Sequence, residues 1–220
     1  MSQPPSAQVY PIFAVPMLEA MHPDSDRINS KLRSLFLQLE SQGDLHRDRT
    51  SRDTLSGVFE SNFFLHRRDD SEVASLFEFV DSVLRDLIAG LSGGFVQREA
   101  LSLEYSMWFH VTRQGGYQGT HNHPNASWSG IYCVDAGDTD SDPNSGAVRF
   151  RDPRAGAEMF RDPANESMVF PYQVQPVQRV HKPGSLIIFP SYLYHEVFAY
   201  RGNRPRIVVA FNSWATRRSG

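Results

Sequence analysis

Three histidines in this sequence have the residue type and spacing of metal ligands. His121 and His123 are separated by one residue, so both imidazoles point to the same side if the segment is a strand. His195 follows near the start of a later apolar segment. Neutral imidazole is a common ligand of divalent transition metals. Although an isolated HxH pair is more often structural, the third histidine favours a metal site inside a β-barrel, with all three as ligands.

Arg206 is the best candidate in the sequence for binding an anion. It opens the apolar segment 206–212, where an arginine that points into a barrel is costly unless an anion pairs with it. A carboxylate can satisfy such a guanidinium with two hydrogen bonds. We therefore expect Arg206 to bind an acidic cosubstrate, with Arg204 as the rival anchor two residues earlier. The alternative is an Arg206 that points to solvent while the other face of the strand forms the core.

The elements that must position these residues change in type along the chain. Apolar residues recur at helical spacing over 24–40 and 70–89, which predicts two helices that pack on a sheet. Every odd residue from 101 to 111 is apolar, which predicts a long half-buried strand, and 113–116 resembles a turn. This order, helices first and strands after, predicts an α+β protein with a sandwich or barrel core. Further short strands are expected at 118–123, 127–134, 147–150, 185–189, 195–200 and 206–213.

Composition narrows the class of protein. A length of 220 residues allows one large domain with its own core, or at most two small ones. The net charge of −3 gives no basic footprint for nucleic acid. Cys133 is the only cysteine, so an intrachain disulfide is excluded. Since the N-terminus has no signal-like pattern and no apolar run approaches the roughly 20 residues of a membrane span, we expect a cytoplasmic protein with neither membrane nor nucleic-acid partners.

Taken together, these motifs resemble those of the Fe(II)/2-oxoglutarate-dependent oxygenases. More narrowly, they resemble a bacterial and phage group of about this length that carries an HxHPN-x-x-x-SG motif, here His121 to Gly130. The likeness extends over roughly 109–214, and the helical part before it matches only in general layout. The matching segments are 121–130, 150–154, 183–186, 189–191, 195–197 and 206–212.

The resemblance implies a fold and a reaction. The fold is a double-stranded β-helix, a jelly-roll or cupin-like barrel with N-terminal helices packed on one face. It implies a single domain over 1–220, with a helical support region at 1–100 and a jelly-roll core at 101–215 that carries the metal. The cofactors would be Fe(II), 2-oxoglutarate and O2. The reaction would couple the decarboxylation of 2-oxoglutarate to succinate and CO2 with hydroxylation of a substrate C–H bond.

The resemblance also assigns roles to residues. The usual iron ligands of these oxygenases are two histidines and one carboxylate. The histidines correspond to His121 and His195, and the carboxylate position corresponds to His123, as in the HxHPN group. Iron would thus be held by three histidines, or by His121 and His195 with His123 nearby. The anchor for the far carboxylate of 2-oxoglutarate corresponds best to Arg206, and a second contact would fall near Tyr132 or Cys133.

Other functions remain open at this point. The His123 position also fits a three-histidine dioxygenase or cupin-like enzyme that does not use 2-oxoglutarate, and a barrel without metal would be a binding protein. The substrate would be a small molecule or a peptide. The sequence does not decide between a monomer and a homodimer. Aromatic residues could line a substrate pocket or pack in the core, namely Trp108, Tyr117, Trp128 and Tyr132.

Overall fold

The computed structural model describes residues 8–138, 142–154, 156 and 162–217. Within them the chain forms two long helices, α1 (Ser25–Ser41) and α2 (Ser71–Leu91), and nine strands. The strands are β1 (Leu18–Met21), β2 (Leu55–Glu60), β3 (Leu101–His121), β4 (Trp128–Asp135), β5 (Val148–Phe150), β6 (Val177–Arg179), β7 (Ser185–Pro190), β8 (His195–Val197) and β9 (Arg206–Arg217). Both predicted helices are confirmed to within two residues. No helix in this part of the chain is long and apolar enough to cross a membrane.

The strands form one antiparallel sheet that curls on itself. Its order is β1-β7-β4-β9-β3-β8-β5-β6, and β2 pairs with β3 beside this path. The curled sheet has two layers, and strand β3 takes part in both. Its residues 101–112 pair with β9, whereas Gln118 and His121 pair with β8. One continuous strand therefore connects the helix-backed layer to the layer that carries His195.

The segment 113–116 bends β3 instead of ending it, so the predicted turn is corrected to a bend within a strand. Gly115 has a φ of +84°, which is the left-handed region that favours glycine. A Cβ on Gly116 would lie 2.5 Å from the carbonyl oxygen of Gly57 in β2. The absence of side chains at these positions allows β2 and β3 to touch backbone to backbone where β3 changes layers.

Strands β4, β7 and β9 are buried on both faces, and their side chains alternate between two apolar clusters. One cluster lies between the sheet and the helices, and the other fills the interior of the barrel. On β9, Ile207, Val209 and Phe211 pack toward the helices, while Val208 packs inside. This architecture confirms the predicted α+β jelly-roll barrel with helices on one face. The helix-facing strand residues are Tyr132, Val134, Leu186, Ile188, Ile207, Val209 and Phe211.

Candidate metal centre

The structure brings the three predicted histidine ligands together. His121 at the end of β3 pairs directly with His195 at the start of β8, and their ring centroids are 4.4 Å apart. His123 lies just beyond β3, where its backbone N–H donates to the carbonyl of Ser191 (2.9 Å). Its ring centroid lies 5.3 Å from each of the other two. One nitrogen from each ring lies within 4.8 Å of the other two, so all three can reach a single ion.

Each histidine has its Nδ1 atom engaged by an oxygen acceptor. His121 Nδ1 bonds to the carbonyl of Gly119 (2.7 Å), and His195 Nδ1 bonds to the carbonyl of Leu193 (2.9 Å). A carbonyl oxygen only accepts, so both Nδ1 atoms carry the proton. His123 Nδ1 bonds to Asn212 Oδ1. The three Nε2 atoms are thereby left with lone pairs, which is the arrangement that orients histidine ligands toward a metal.

The surroundings keep these imidazoles neutral. Burial, with a smaller contribution from the neighbouring His121 and His123, lowers the pKa of His195 to about 3. Burial, together with His121, lowers the pKa of His123 to about 4, although the bond to Asn212 opposes this change. Burial also lowers the pKa of His121. Because only a neutral imidazole can bind a metal, the site is ready for an ion at neutral pH.

Among the described residues, no carboxylate is available to act as a third metal ligand in place of His123. Glu60 is the sole carboxylate among the described residues that line this cavity. It is held by Arg52 and by His110 Nε2, which lies 2.8 Å from Glu60 Oε2. Gln118 Nε2 in turn lies 2.9 Å from His110 Nδ1. A carboxylate with these partners is not available as a ligand, so the donor set is three neutral nitrogens.

Arg206 points into the same cavity and is almost completely buried. Its exposed fraction is 3%, and its Nη2 atom is buried without a hydrogen-bond partner. Among the described residues, no carboxylate forms an ion pair with it. Burial raises the pKa of the nearby Cys133 thiol to about 12, so that group is neutral and provides no counter-charge. A buried cation without an anion is costly, and the cavity therefore favours an anionic occupant next to Arg206.

Two predicted cosubstrate contacts lie elsewhere. Arg204 precedes β9, its side chain is 59% exposed, and it donates to the carbonyl of Gly137 (2.9 Å). Tyr132 lies on the helix side of β4, where its hydroxyl donates to Asn29 Oδ1 (2.8 Å). The structure thus does not bring these two to the cavity with the histidines, whereas it places Arg206 there.

The cavity has a volume of about 340 Å³, within the range of small-ligand sites. Of the aromatic residues considered from the sequence, Trp108 lines it and its ring lies 6.1 Å from that of His123. Tyr117 is 41% exposed, and Trp128 packs against the helix-side core. Further lining side chains that sequence reasoning missed are Arg52, Phe63, His110, Gln118 and Trp214.

Residues behind the ligands were also missed. Ser129 donates to Asn212 Oδ1 (2.7 Å) and lies 2.8 Å from Ser191 Oγ. These contacts fix the amide that orients His123. A signal for Asn212 exists in the sequence, since it lies six residues after Arg206 and an even spacing puts both on the same face of a strand. Ser129 gives no comparable signal.

Solved structures with the same fold include two prolyl hydroxylases and a carbocyclase. A Pseudomonas putida prolyl-4-hydroxylase has 14% sequence identity and a TM-score of 0.58, with 92% of each chain covered. A Trichoplax adhaerens prolyl hydroxylase in complex with a peptide fragment of hypoxia inducible factor has 13% identity and a TM-score of 0.59, covering 90% of this chain and 83% of that one. The carbocyclase SnoK from nogalamycin biosynthesis has 13% identity and a TM-score of 0.61, covering 93% and 82%. At these identities the likeness establishes the fold.

Comparison of the sequence with models of protein families gives one match. Residues 106–212 match the family described as "Putative 2OG-Fe(II) oxygenase", a span that contains the three histidines and Arg206. No curated protein matches the chain. The match begins within β3 and ends at Asn212, so it covers the barrel segment that carries the candidate metal centre. Over residues 106–212, just under half of its length, this chain matches the 2OG-Fe(II) oxygenase family.

Proposed function

We propose that this protein is an Fe(II)- and 2-oxoglutarate-dependent hydroxylase whose metal is held by His121, His123 and His195. The observation that carries the proposal is the buried Arg206, which has no ion-pair partner among the described residues and lies in the same cavity as three neutral imidazoles. The histidines need a cation and the arginine needs an anion. A 2-oxo dicarboxylate bound to iron would meet both requirements at once.

The histidine site fits a divalent transition metal. All three Nδ1 atoms are bonded to oxygens, which fixes the rings and exposes Nε2 to the cavity. When bound, Fe(II) supplies the oxygen-activating redox chemistry that protein side chains cannot perform. The neutral ligands leave the metal its full 2+ charge, which strengthens its attraction for an anionic cosubstrate compared with a site that contains a carboxylate.

Arg206 would bind and orient the cosubstrate. Its guanidinium can donate two parallel hydrogen bonds to a carboxylate, and burial excludes the water that would weaken them. A 2-oxo acid without a distal carboxylate would leave the cation unpaired. This difference makes Arg206 the residue that selects a dicarboxylate over a monocarboxylate.

The substrate would contact the wall of the cavity that is lined by aromatic side chains. Phe63, Trp108 and Trp214 provide apolar surface there, and the Glu60–His110 pair provides polar groups. Such a wall suits a small molecule or a peptide side chain with both apolar and hydrogen-bonding parts. The fold is shared by a prolyl hydroxylase in complex with a peptide fragment and by a carbocyclase, which is consistent with either class.

The proposal is tested by loading the protein anaerobically with Fe(II) and titrating 2-oxoglutarate. We expect bound iron and a saturable visible charge-transfer band from the chelated 2-oxo acid. His195→Ala should lose the iron and the band because it removes a central ligand. The matched control is His46→Ala, since His46 bonds to Gln42 away from the cavity and should leave both unchanged.

The outcomes separate the rival functions. Iron without a band would favour a three-histidine dioxygenase that does not use 2-oxoglutarate. Absence of bound iron would favour a binding protein. Full iron content in His195→Ala would remove that residue from the ligand set.

A further inference from the structure

Three side chains on one wall of the cavity meet at the ring of His110. Glu60, Trp108 and Gln118 line the cavity together with His110 itself, which is buried. His110 Nε2 lies 2.8 Å from Glu60 Oε2 and 3.1 Å from Trp108 Nε1. On the other side of the ring, Gln118 Nε2 lies 2.9 Å from His110 Nδ1. The nitrogen Nε2 therefore has two neighbours that compete for one hydrogen bond.

The chemistry of the two neighbours decides which contact is the hydrogen bond. Glu60 forms an ion pair with Arg52, so its carboxylate only accepts hydrogen bonds. The indole N–H of Trp108, by contrast, only donates. Nε2 therefore carries the proton and donates it to Glu60, while Nδ1 accepts from the amide of Gln118. A second proton on the ring would leave the bond between Nε2 and Glu60 unchanged.

The indole N–H of Trp108 is consequently left without an acceptor. It faces the N–H of His110, and within the described part of the chain it donates to no oxygen atom. Trp108 is only 5% exposed, so water has little access to it. A buried donor without an acceptor is costly, and this wall of the cavity therefore favours an occupant that provides one.

The charges beside Trp108 select the kind of acceptor. Glu60 and Trp108 contact the same nitrogen atom, so a group bonded to the indole would lie close to the carboxylate of Glu60. Arg52 does not cancel this charge fully, because it is shared with Asp48, whose Oδ2 lies 2.9 Å from Arg52 Nη1. Two carboxylates against one guanidinium repel an anion. A neutral carbonyl oxygen accepts the hydrogen bond without that repulsion.

We propose that Trp108 is a specificity-determining residue, which donates its indole N–H to a neutral carbonyl oxygen of the substrate, as in an amide. This inference rests on the proposed function of the cavity and adds the substrate class to it. Glu60 and His110 are positioning residues, because their bond to each other keeps the indole N–H free for the substrate. The ring of Trp108 lies 6.1 Å from that of His123, which places the bound amide beside the metal centre.

The test follows the indole N–H resonances of isotope-labelled tryptophans in protein loaded with Zn(II) and 2-oxoglutarate. The probes are benzamide and benzoate, which are similar in shape but differ in charge. Benzamide should shift the Trp108 resonance downfield in a saturable way and leave those of Trp128 and Trp214 in place, whereas benzoate should leave the Trp108 resonance unmoved. Trp108→Phe should weaken benzamide binding roughly 2- to 10-fold, the range for a lost neutral hydrogen bond.

Trp214→Phe is the matched control. Trp214 lines the same cavity, but its indole N–H already donates to the carbonyl of Asn125. Its replacement should leave benzamide affinity within about twofold. If Trp108→Phe does not fold, Trp128→Phe and Trp214→Phe assign the Trp108 resonance by elimination, and its shift carries the test.

Three results would overturn the inference. They are a Trp108 resonance that benzamide does not move, one that benzoate moves equally, and equal weakening of benzamide binding by Trp108→Phe and Trp214→Phe. A failure of the proposed function is distinguishable from these. If the Zn(II)-loaded protein does not bind 2-oxoglutarate, that function fails, whereas benzamide titrated alone still tests the hydrogen bond from Trp108.

Discussion

Replacing Arg206 by methionine should change cosubstrate binding and protein stability in opposite directions. The side chain is 3% exposed and has an unpartnered nitrogen, so the ligand-free protein bears the cost of a buried, unpaired cation. Methionine has a similar length and needs no counter-charge. Replacement of buried charged groups by apolar ones can stabilise a protein by about 1–4 kcal/mol. At about 2–4 °C per kcal/mol for a chain of this size, the melting temperature of the ligand-free protein should rise by several degrees.

The same substitution should weaken the binding of 2-oxoglutarate. Without Arg206 the distal carboxylate of 2-oxoglutarate would be buried without its ion-pair partner, which costs about 3–5 kcal/mol. At about 1.4 kcal/mol per tenfold, the Kd should rise by roughly two to three and a half orders of magnitude. The expected pattern is therefore a more stable protein with weaker cosubstrate binding.

The assay is thermal denaturation of the metal-free protein in chloride buffer, paired with 2-oxoglutarate titration of the Mn(II)-loaded protein. Arg204→Met is the matched control, because Arg204 is 59% exposed and bonds to a backbone carbonyl outside the cavity. It should change neither quantity appreciably. A loss of stability in Arg206→Met with unchanged affinity would refute the reasoning, since it would mean that the arginine serves the fold and not the ligand.

Two further predictions concern the histidines. Asn212→Leu removes the acceptor that orients His123 and should lower metal affinity roughly 10- to 100-fold in a chelator competition; an unchanged affinity would contradict that role. The pKa values of His123, His181 and His195, at about 4, 3 and 3, lie below the 6.5 of a free histidine, so the unfolded chain binds more protons than the folded one between about pH 4 and 6.5. The free energy of unfolding of the metal-free protein should therefore be fully retained above pH 7. As the pH falls through that window, it should decrease by up to about 1.4 kcal/mol per pH unit for each histidine. Urea denaturation that shows no loss of stability between pH 7 and 5 would contradict this.

Much of the fold follows from periodicity along the chain. Both helices and the first part of β3 have patterns that match their structure, since each presents one apolar face to a single core. Strands β1, β2 and β6 were not predicted. They have four, six and three residues, and Gly57 interrupts β2. None of them therefore has an alternation of apolar and polar residues long enough to recognise.

The site was predictable where it depends on local spacing and not where it depends on register. His121, His123 and His195 share a residue type that few structural roles require in such a pattern. The position of Tyr132 was not predictable, because β4 is buried on both faces and its composition does not show which side faces the barrel. His181 is isolated in sequence, and the absence of a hydrogen-bond partner for its buried ring among the described residues is visible only in the structure.

The arrangement of charge along the cavity has a kinetic consequence. Arg206 opens β9, whereas Trp214 near the other end of the same strand is partly exposed, and both line one cavity with the histidines. Asn212, which lies between Arg206 and Trp214 on the strand, bonds to His123. For a cosubstrate that enters past Trp214, the path to Arg206 runs along the face of β9 that carries Asn212 and its partner His123. A substrate seated against the aromatic wall would then obstruct that path. We therefore expect a compulsory sequence, with cosubstrate first and substrate second, and inhibition at high substrate concentration when substrate reaches the empty cavity before the cosubstrate does.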